Sequence, residues 1–122
     1  MSIISDEIVY KRQESLNLAI PQAISIVGVG GGGSWLAIQS AMIGVKNITL
    51  YDSDTIEEHN LNRLPVPKSS IGMKKTEAIK NIIHSMRDEC VVNCKESIID
   101  NFDGLRLSEV VFDMTDDYPF QL

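Results

Sequence analysis

The chain has 122 residues, 43% of them hydrophobic and 23% charged, with a formal net charge of −6 at pH 7. That length suits one domain around one hydrophobic core and is short for a complete enzyme. Acidity argues against a nucleic-acid or anionic-membrane partner, which wants clustered Lys and Arg, but not against a nucleotide, whose phosphates need only a few well-placed cations.

Met1 to Tyr10 carries Asp6 and Glu7 and no apolar run, so no signal peptide is expected, and no stretch reaches transmembrane length. Cys90 and Cys94 have no further pair with which to build a zinc site and read as two small buried hydrophobes. A reducing cytoplasm is the expected compartment.

Asp6 to Leu18 can form a helix, closed by Pro21, with Tyr10-Lys11-Arg12-Gln13 as a polar, cationic patch on it. Ile24 to Val27 has the length and β-branched content of a buried strand. It runs straight into Gly28-x-Gly30-x-x-Gly33, with further glycines at Gly31 and Gly32, and then into Ser34 and an apolar helix to Ile43. Strand, glycine turn and helix is the setting in which a backbone approaches a phosphate and offers it helix-start N–H groups. The same turn also serves close strand–helix packing without a ligand. Apolar almost all round, the helix is expected to be buried on more than one side, with Gly44 ending it.

Asn47 to Tyr51 reads as a second, parallel strand. Asp52 at its tip lies about twenty positions beyond the glycine turn, where a carboxylate accepts the two hydroxyls of a ribose. Asp54 suits a turn or a helix cap equally. In the polar stretch that follows, His59 is expected at the surface. Asn60 and Arg63 are spaced to share one side of a helical turn, which can serve an anion or merely decorate the surface. Pro65 and Pro67 then enforce an extended segment.

Gly72-Met73-Lys74-Lys75 opens an amphipathic helix with Ile79, Ile82, Ile83 and Met86 toward the core and His84 at the surface. Lysines at a helix start oppose its dipole, which a bound anion would explain, although solvation would cost only a few tenths of a kcal/mol. Cys90 to Ile99 reads as a third strand at the sheet edge. A connection with a turn at Asp103-Gly104 leads to a fourth, Glu109 to Asp113, and then Met114-Thr115-Asp116-Asp117.

GVGGGGS (Gly28 to Ser34), DSD (Asp52 to Asp54), NLNR (Asn60 to Arg63), GMKK (Gly72 to Lys75) and DMTDD (Asp113 to Asp117), with YKRQ (Tyr10 to Gln13), together resemble the ThiF/MoeB type of adenylating enzyme, the superfamily of the ubiquitin-activating enzymes. The resemblance runs from about residue 8 to 117 and implies an α/β, Rossmann-like, doubly wound, mainly parallel sheet of order 3-2-1-4. It implies one ATP-binding domain over 1–122, with an N-terminal helix over 5–18 carrying the arginine finger Arg12, which reaches into a partner subunit. The glycine turn (Gly28, Gly30, Gly31, Gly33, Ser34) would pack beside ATP, with Asp54 close by, and Asp52 would take the ribose. Asn60, Arg63 and Lys75 would hold the triphosphate, and Asp116 would bind Mg²⁺. Arg12, Arg63, Lys75 and Asp116 are thus the implied catalytic set. The implied reaction is attack of a carboxylate, typically the C-terminus of a ubiquitin-like or sulfur-carrier protein, on the α-phosphate of ATP.

The chain departs from that pattern in several places. Leu64 stands where the family usually has Gln. The loop from Arg63 to Lys75 is about a residue short of the usual pattern, so Lys74 is a possible stand-in for Lys75, and Asp117 replaces Asn. The family's later strands, catalytic-cysteine loop and paired-cysteine zinc site have no counterpart here, so the expectation is the ATP-binding half of such an enzyme. The Glu109–Asp113 strand then becomes a sheet edge, covered by a second copy or a partner chain. Two other readings stand beside it: a non-catalytic nucleotide-binding relative, and the NAD-binding domain of a dehydrogenase, which leaves NLNR, GMKK and DMTDD unexplained.

Overall fold

The computed structural model describes residues 20–97 and 108–115. The helix expected over 5–18 with Arg12, the turn at Asp103-Gly104, and Asp116 and Asp117 lie outside the described residues.

Four short apolar runs build the sheet: β1 (Ala23–Val27), β2 (Asn47–Tyr51), β3 (Val91–Lys95) and β4 (Val110–Asp113). Two helices connect the first three, α1 (Gly31–Ile43) and α2 (Lys75–Met86). Between β2 and α2 the chain makes two 3-10 turns, Glu58–Asn62 and Lys68–Ser70. All pairings are parallel and the order is β3-β2-β1-β4, as expected.

Because side chains alternate along a strand, register decides which residues share a face. Ile24 is opposite Ile48, and Ile48 opposite Val92; Ile26 is opposite Leu50, and Leu50 opposite Cys94. This aliphatic face packs against Ala37, Ile38 and Ala41 of α1 and Ile79 and Ile83 of α2, forming the main core. The opposite face is buried at its centre, where Ser25, Thr49 and Tyr51 have almost no exposure, and open toward Asn47, Val91 and Val111. There Ser25 Oγ meets Ser108 Oγ at 2.6 Å, and Asn93 Nδ2 donates to Asn47 Oδ1 at 2.8 Å.

Several expectations need correction. α1 begins at Gly31, inside the glycine run, and its outer face, with Trp35, Met42 and Ile43, is exposed among the described residues because only the sheet and α2 pack on it. β3 is shorter than expected, since Glu96 and Ser97 leave the ladder after Lys95. Met86, in the last position of α2, is exposed rather than in the core. His84 is half-buried, with Nε2 2.9 Å from the Cys90 carbonyl, because the last turn of α2 lies over the entry to β3. His59 is exposed as expected, with Nδ1 3.4 Å from Glu57 Oε2. Cys90 is buried and Cys94 half-buried, and both are free thiols. No helix among the described residues is long and apolar enough to cross a membrane.

Candidate functional site

The carboxyl ends of the strands gather around one open cleft of about 450 Å³. Gly28 and Gly30 line it after β1, Asp52, Ser53 and Asp54 after β2, Glu96 and Ser97 after β3, Met114 and Thr115 after β4, and Lys75 at the start of α2. It lies at the topological switch point, between the crossovers that run to β2 and to β4, where open α/β sheets hold their ligands.

The glycine turn has two distinct steric demands. Gly28 sits at φ +96°, in the region that side chains rarely adopt, and a Cβ there would meet the Met114 backbone at 2.9 Å. Gly33 lies so close to β1 that a Cβ would come within 1.9 Å of the Gly28 carbonyl oxygen. The first lets the strand turn at once into α1; the second seats α1 directly on the strand tip. At Gly30 an added Cβ would meet nothing within 4 Å, so the turn is open on its cleft side. Helix starts leave their first N–H groups without partners in the helix, and these favour an anion.

Asp52 ties this turn to β2. Its Oδ2 accepts from the Val29 N–H at 2.8 Å and its Oδ1 from the Asp54 N–H at 2.8 Å. A carboxylate has about four lone-pair sites, so each oxygen keeps capacity for a further donor such as a hydroxyl. The ribose and turn readings of this residue are therefore compatible. Asp54 receives α2 through its backbone: the Lys75 N–H donates to the Asp54 carbonyl at 3.0 Å.

The two lysines diverge. Lys75 has a side chain only 13% exposed, lines the cleft, and places Nζ 3.6 Å from Asp54 Oδ2. Lys74 points to the rim, where Nζ is 3.0 Å from Glu96 Oε1 and donates to the Ser53 carbonyl at 3.2 Å. Each charge is thus answered by a carboxylate, and neither requires a bound anion to explain its position at the helix start. Asp54 is well exposed and 3.6 Å is long for a hydrogen bond, so that pairing is weak and leaves Lys75 free to turn to a phosphate.

Asn60 lines a neighbouring hollow with Ser53, Asp54 and Lys75, whereas Arg63 stands beside Gly31. Asn60 is buried and its Oδ1 accepts from the Glu57 N–H at 2.9 Å, closing a capping box on the 3-10 turn. Around it Ile56, Leu64 and Ala78 form a small second core, which gives Leu64 a packing role. Arg63 is exposed, and its aliphatic stem runs alongside Gly31, 3.7 to 3.8 Å from where a Cβ would stand. Ser34 is turned inward, its hydroxyl donating to the Val29 carbonyl at 3.1 Å, and is not part of the cleft wall.

The cleft therefore joins Gly28, Gly30, Asp52, Asp54 and Lys75, with Arg63 beside the turn. Arg12 and Asp116 lie outside the described residues. Ser53, Met114 and Thr115 fall inside the DSD and DMTDD motifs without a role read from the sequence, and Glu96 and Ser97 fall inside the third strand expected over Cys90 to Ile99. The signal for Glu96 is its position just past the tip of β3. Among the described residues, no group of three or more His, Cys, Asp and Glu side chains is placed to hold a metal ion.

The model of the ThiF family matches residues 4–121. The chain belongs to the ThiF family. Among its relatives, the tRNA threonylcarbamoyladenosine dehydratase of Haemophilus influenzae is 40% identical over 80 residues, 65% of this chain and 29% of that protein. Ubiquitin-like modifier-activating enzyme 5 of Arabidopsis thaliana is 36% identical over 70 residues, 57% of this chain and 16% of that one. The crystal structure of the E. coli tRNA N6-threonylcarbamoyladenosine dehydratase in complex with ATP superposes with a TM-score of 0.78 at 26% identity, over 94% of this chain and 53% of that one. The chain thus spans about half of that solved structure and under a third of the Haemophilus relative. Family membership removes the ground for a nicotinamide-dependent dehydrogenase.

Proposed function

We propose that this chain is the ATP-binding domain of an adenylating enzyme, one domain over 1–122 that activates a carboxylate as an acyl-adenylate. The observation that carries the reading is the cleft itself: a glycine turn opening α1, Asp52 tying that turn to β2, and a nearly buried lysine facing them from α2. The ATP complex of the E. coli relative on the same fold supports it.

In this reading the turn at Gly28–Gly33 and the start of α1 take the phosphates, Asp52 takes the ribose hydroxyls, and Lys75, Arg63 and Asn60 serve the triphosphate. Asn60 does so at most with the part of its amide left over from capping Glu57. Arg12 acts as a finger from a second subunit. Mg²⁺ would be held by phosphate oxygens together with Asp116, and when bound would neutralise charge on them. A carboxylate oxygen of the substrate attacks the α-phosphorus; the new bond is acyl-oxygen to phosphorus, the α–β bridging bond breaks, and pyrophosphate leaves with its electron pair. The nucleophile is already ionised, so no general base is needed. What the chain supplies is alignment and charge stabilisation.

The acyl substrate is a ubiquitin-like or sulfur-carrier protein or another small carboxylate, and the acidic surface speaks against nucleic acid as its direct ligand, although the name of one relative includes a tRNA. Among the described residues β4 pairs only with β1, and its Val110 and Val111 are exposed, so a second copy or partner chain would cover that edge. The free thiols fit a cytoplasmic setting.

The test is calorimetric ATP–Mg²⁺ binding together with pyrophosphate–ATP exchange over candidate carboxylates, including a ubiquitin-like C-terminus. Lys75→Met should weaken ATP about tenfold, the scale of one charge-assisted contact. Absence of ATP binding by the wild-type chain would overturn the proposal. Binding without exchange for any carboxylate would favour the non-catalytic relative.

A further inference from the structure

The cleft has an end that the phosphate and ribose contacts do not use. Gly28 and Gly30 stand at the tip of β1 and Asp52 at the tip of β2, while Glu96 follows directly after β3 at the sheet edge. Neighbouring strands lie about 4.8 Å apart, so the tip of β3 is about 10 Å from that of β1. A nucleotide with phosphates on the glycine turn and ribose at Asp52 must therefore lay its base toward Ser53 and Glu96.

We infer that Glu96 reads the base, favouring a purine with a 6-amino group, and that Lys74 is the positioning residue that holds its carboxylate in place. The inference deepens the nucleotide reading above and rests on it. An ionised carboxylate only accepts hydrogen bonds. Adenine offers an N6 amino donor at the edge where guanine or hypoxanthine offers an O6 acceptor. A glutamate at this end attracts the first and repels the second. Left alone, an exposed glutamate would sample many rotamers. Here Lys74 Nζ is 3.0 Å from Glu96 Oε1 while donating to the Ser53 carbonyl at 3.2 Å, so one ammonium pins the carboxylate to the loop after β2. The pinning explains why two adjacent lysines take different directions: Lys75 faces the phosphate end, Lys74 the base end. With side-chain exposures of 42% and 72%, this ion pair is worth little as stability, so its contribution is orientation.

The experiment compares ATP with ITP, which replaces the 6-amino group by oxygen, in calorimetric binding to the intact chain. The wild-type protein should prefer ATP. Glu96→Gln should lower the ATP-to-ITP affinity ratio by about tenfold, the low end for one hydrogen bond to a charged group, because a glutamine amide can serve either base edge. Lys74→Met should lower the ratio in the same direction by a smaller factor, and Lys74→Arg should restore it. Lys75→Met should weaken both nucleotides and leave the ratio unchanged. A ratio unmoved by Glu96→Gln would overturn the inference while leaving ATP binding intact. Failure of the wild-type chain to bind either nucleotide would overturn the nucleotide reading and this inference with it.

Discussion

The face of the sheet under α1 and α2 and the rim at the strand tips are made of opposite materials. Under the helices, Ile24, Ile26, Ile48, Leu50, Ile79 and Ile83 are almost completely buried and none carries a charge. At the rim, Asp52, Asp54, Lys74, Lys75 and Glu96 stand within one cleft or on its edge. Aliphatic burial is non-directional and scales with area, so the face fixes stability. Lys75 apart, the rim's paired charges are half to well exposed and contribute little to stability, and backbone bonds orient Asp52 and Lys74, as a site for a charged ligand requires. The glycine turn joins the two regions, and substitutions there should disturb both.

Gly33→Ala is expected to have the largest effect. Its Cβ would stand 1.9 Å from a backbone oxygen that belongs to the same strand–turn unit, so no side-chain rotation relieves the clash. A loss of about 5 kcal/mol is expected, at the extreme end for a point change, together with loss of nucleotide binding. Gly30→Ala has open space and should stay within about 1 kcal/mol of wild type. Equal stability of the two variants in urea would break the link between turn and face.

Ile79→Ala should separate the regions. The residue is wholly buried in the helix-covered core and does not line the cleft, so a loss of about 3 kcal/mol is expected. The urea midpoint should fall without a change in slope. ATP affinity, measured below the unfolding transition, should match wild type. A large drop in affinity would show that face and rim are not separable.

How much was legible in the sequence follows the same division. β1, β2, the glycine turn and the strand order could be read because their signals are local: β-branched runs, a fixed glycine spacing and right-handed crossovers. Asp52 could be placed because it lies at a strand tip. What could not be read depends on where separate segments converge. Spacing places Asn60 near Arg63, but it does not specify the capping bond that ties the Asn60 oxygen to Glu57. Lys74 and Lys75 are adjacent, and only the positions of Glu96 and Asp54 send them apart. The exposed outer face of α1 is likewise a matter of which elements pack on it, which periodicity does not specify.

The smallest effect concerns the far edge of the apolar face, where Cys90 enters the core. The residue is 3% exposed and its thiol donates to the Val45 carbonyl at 3.4 Å. Burial, aided by the charge of Glu89 and opposed by Lys46, pushes the thiol from 9.0 up to about 11. In the unfolded chain the thiol ionises at its ordinary value; in the folded chain it stays protonated for about two pH units more. Its contribution to stability is therefore complete below about pH 9 and is lost as pH rises toward 11, because deprotonation favours the unfolded chain. The loss attributable to this one group should be about 2 kcal/mol, measured as the difference between wild type and Cys90→Ala in urea unfolding at pH 8 and pH 10.5. Subtracting the variant removes Cys94, the lysines and the tyrosines, which titrate in both proteins. Parallel pH profiles would mean that the thiol is hydrated in the folded chain, and that the apolar face does not reach as far as the start of β3.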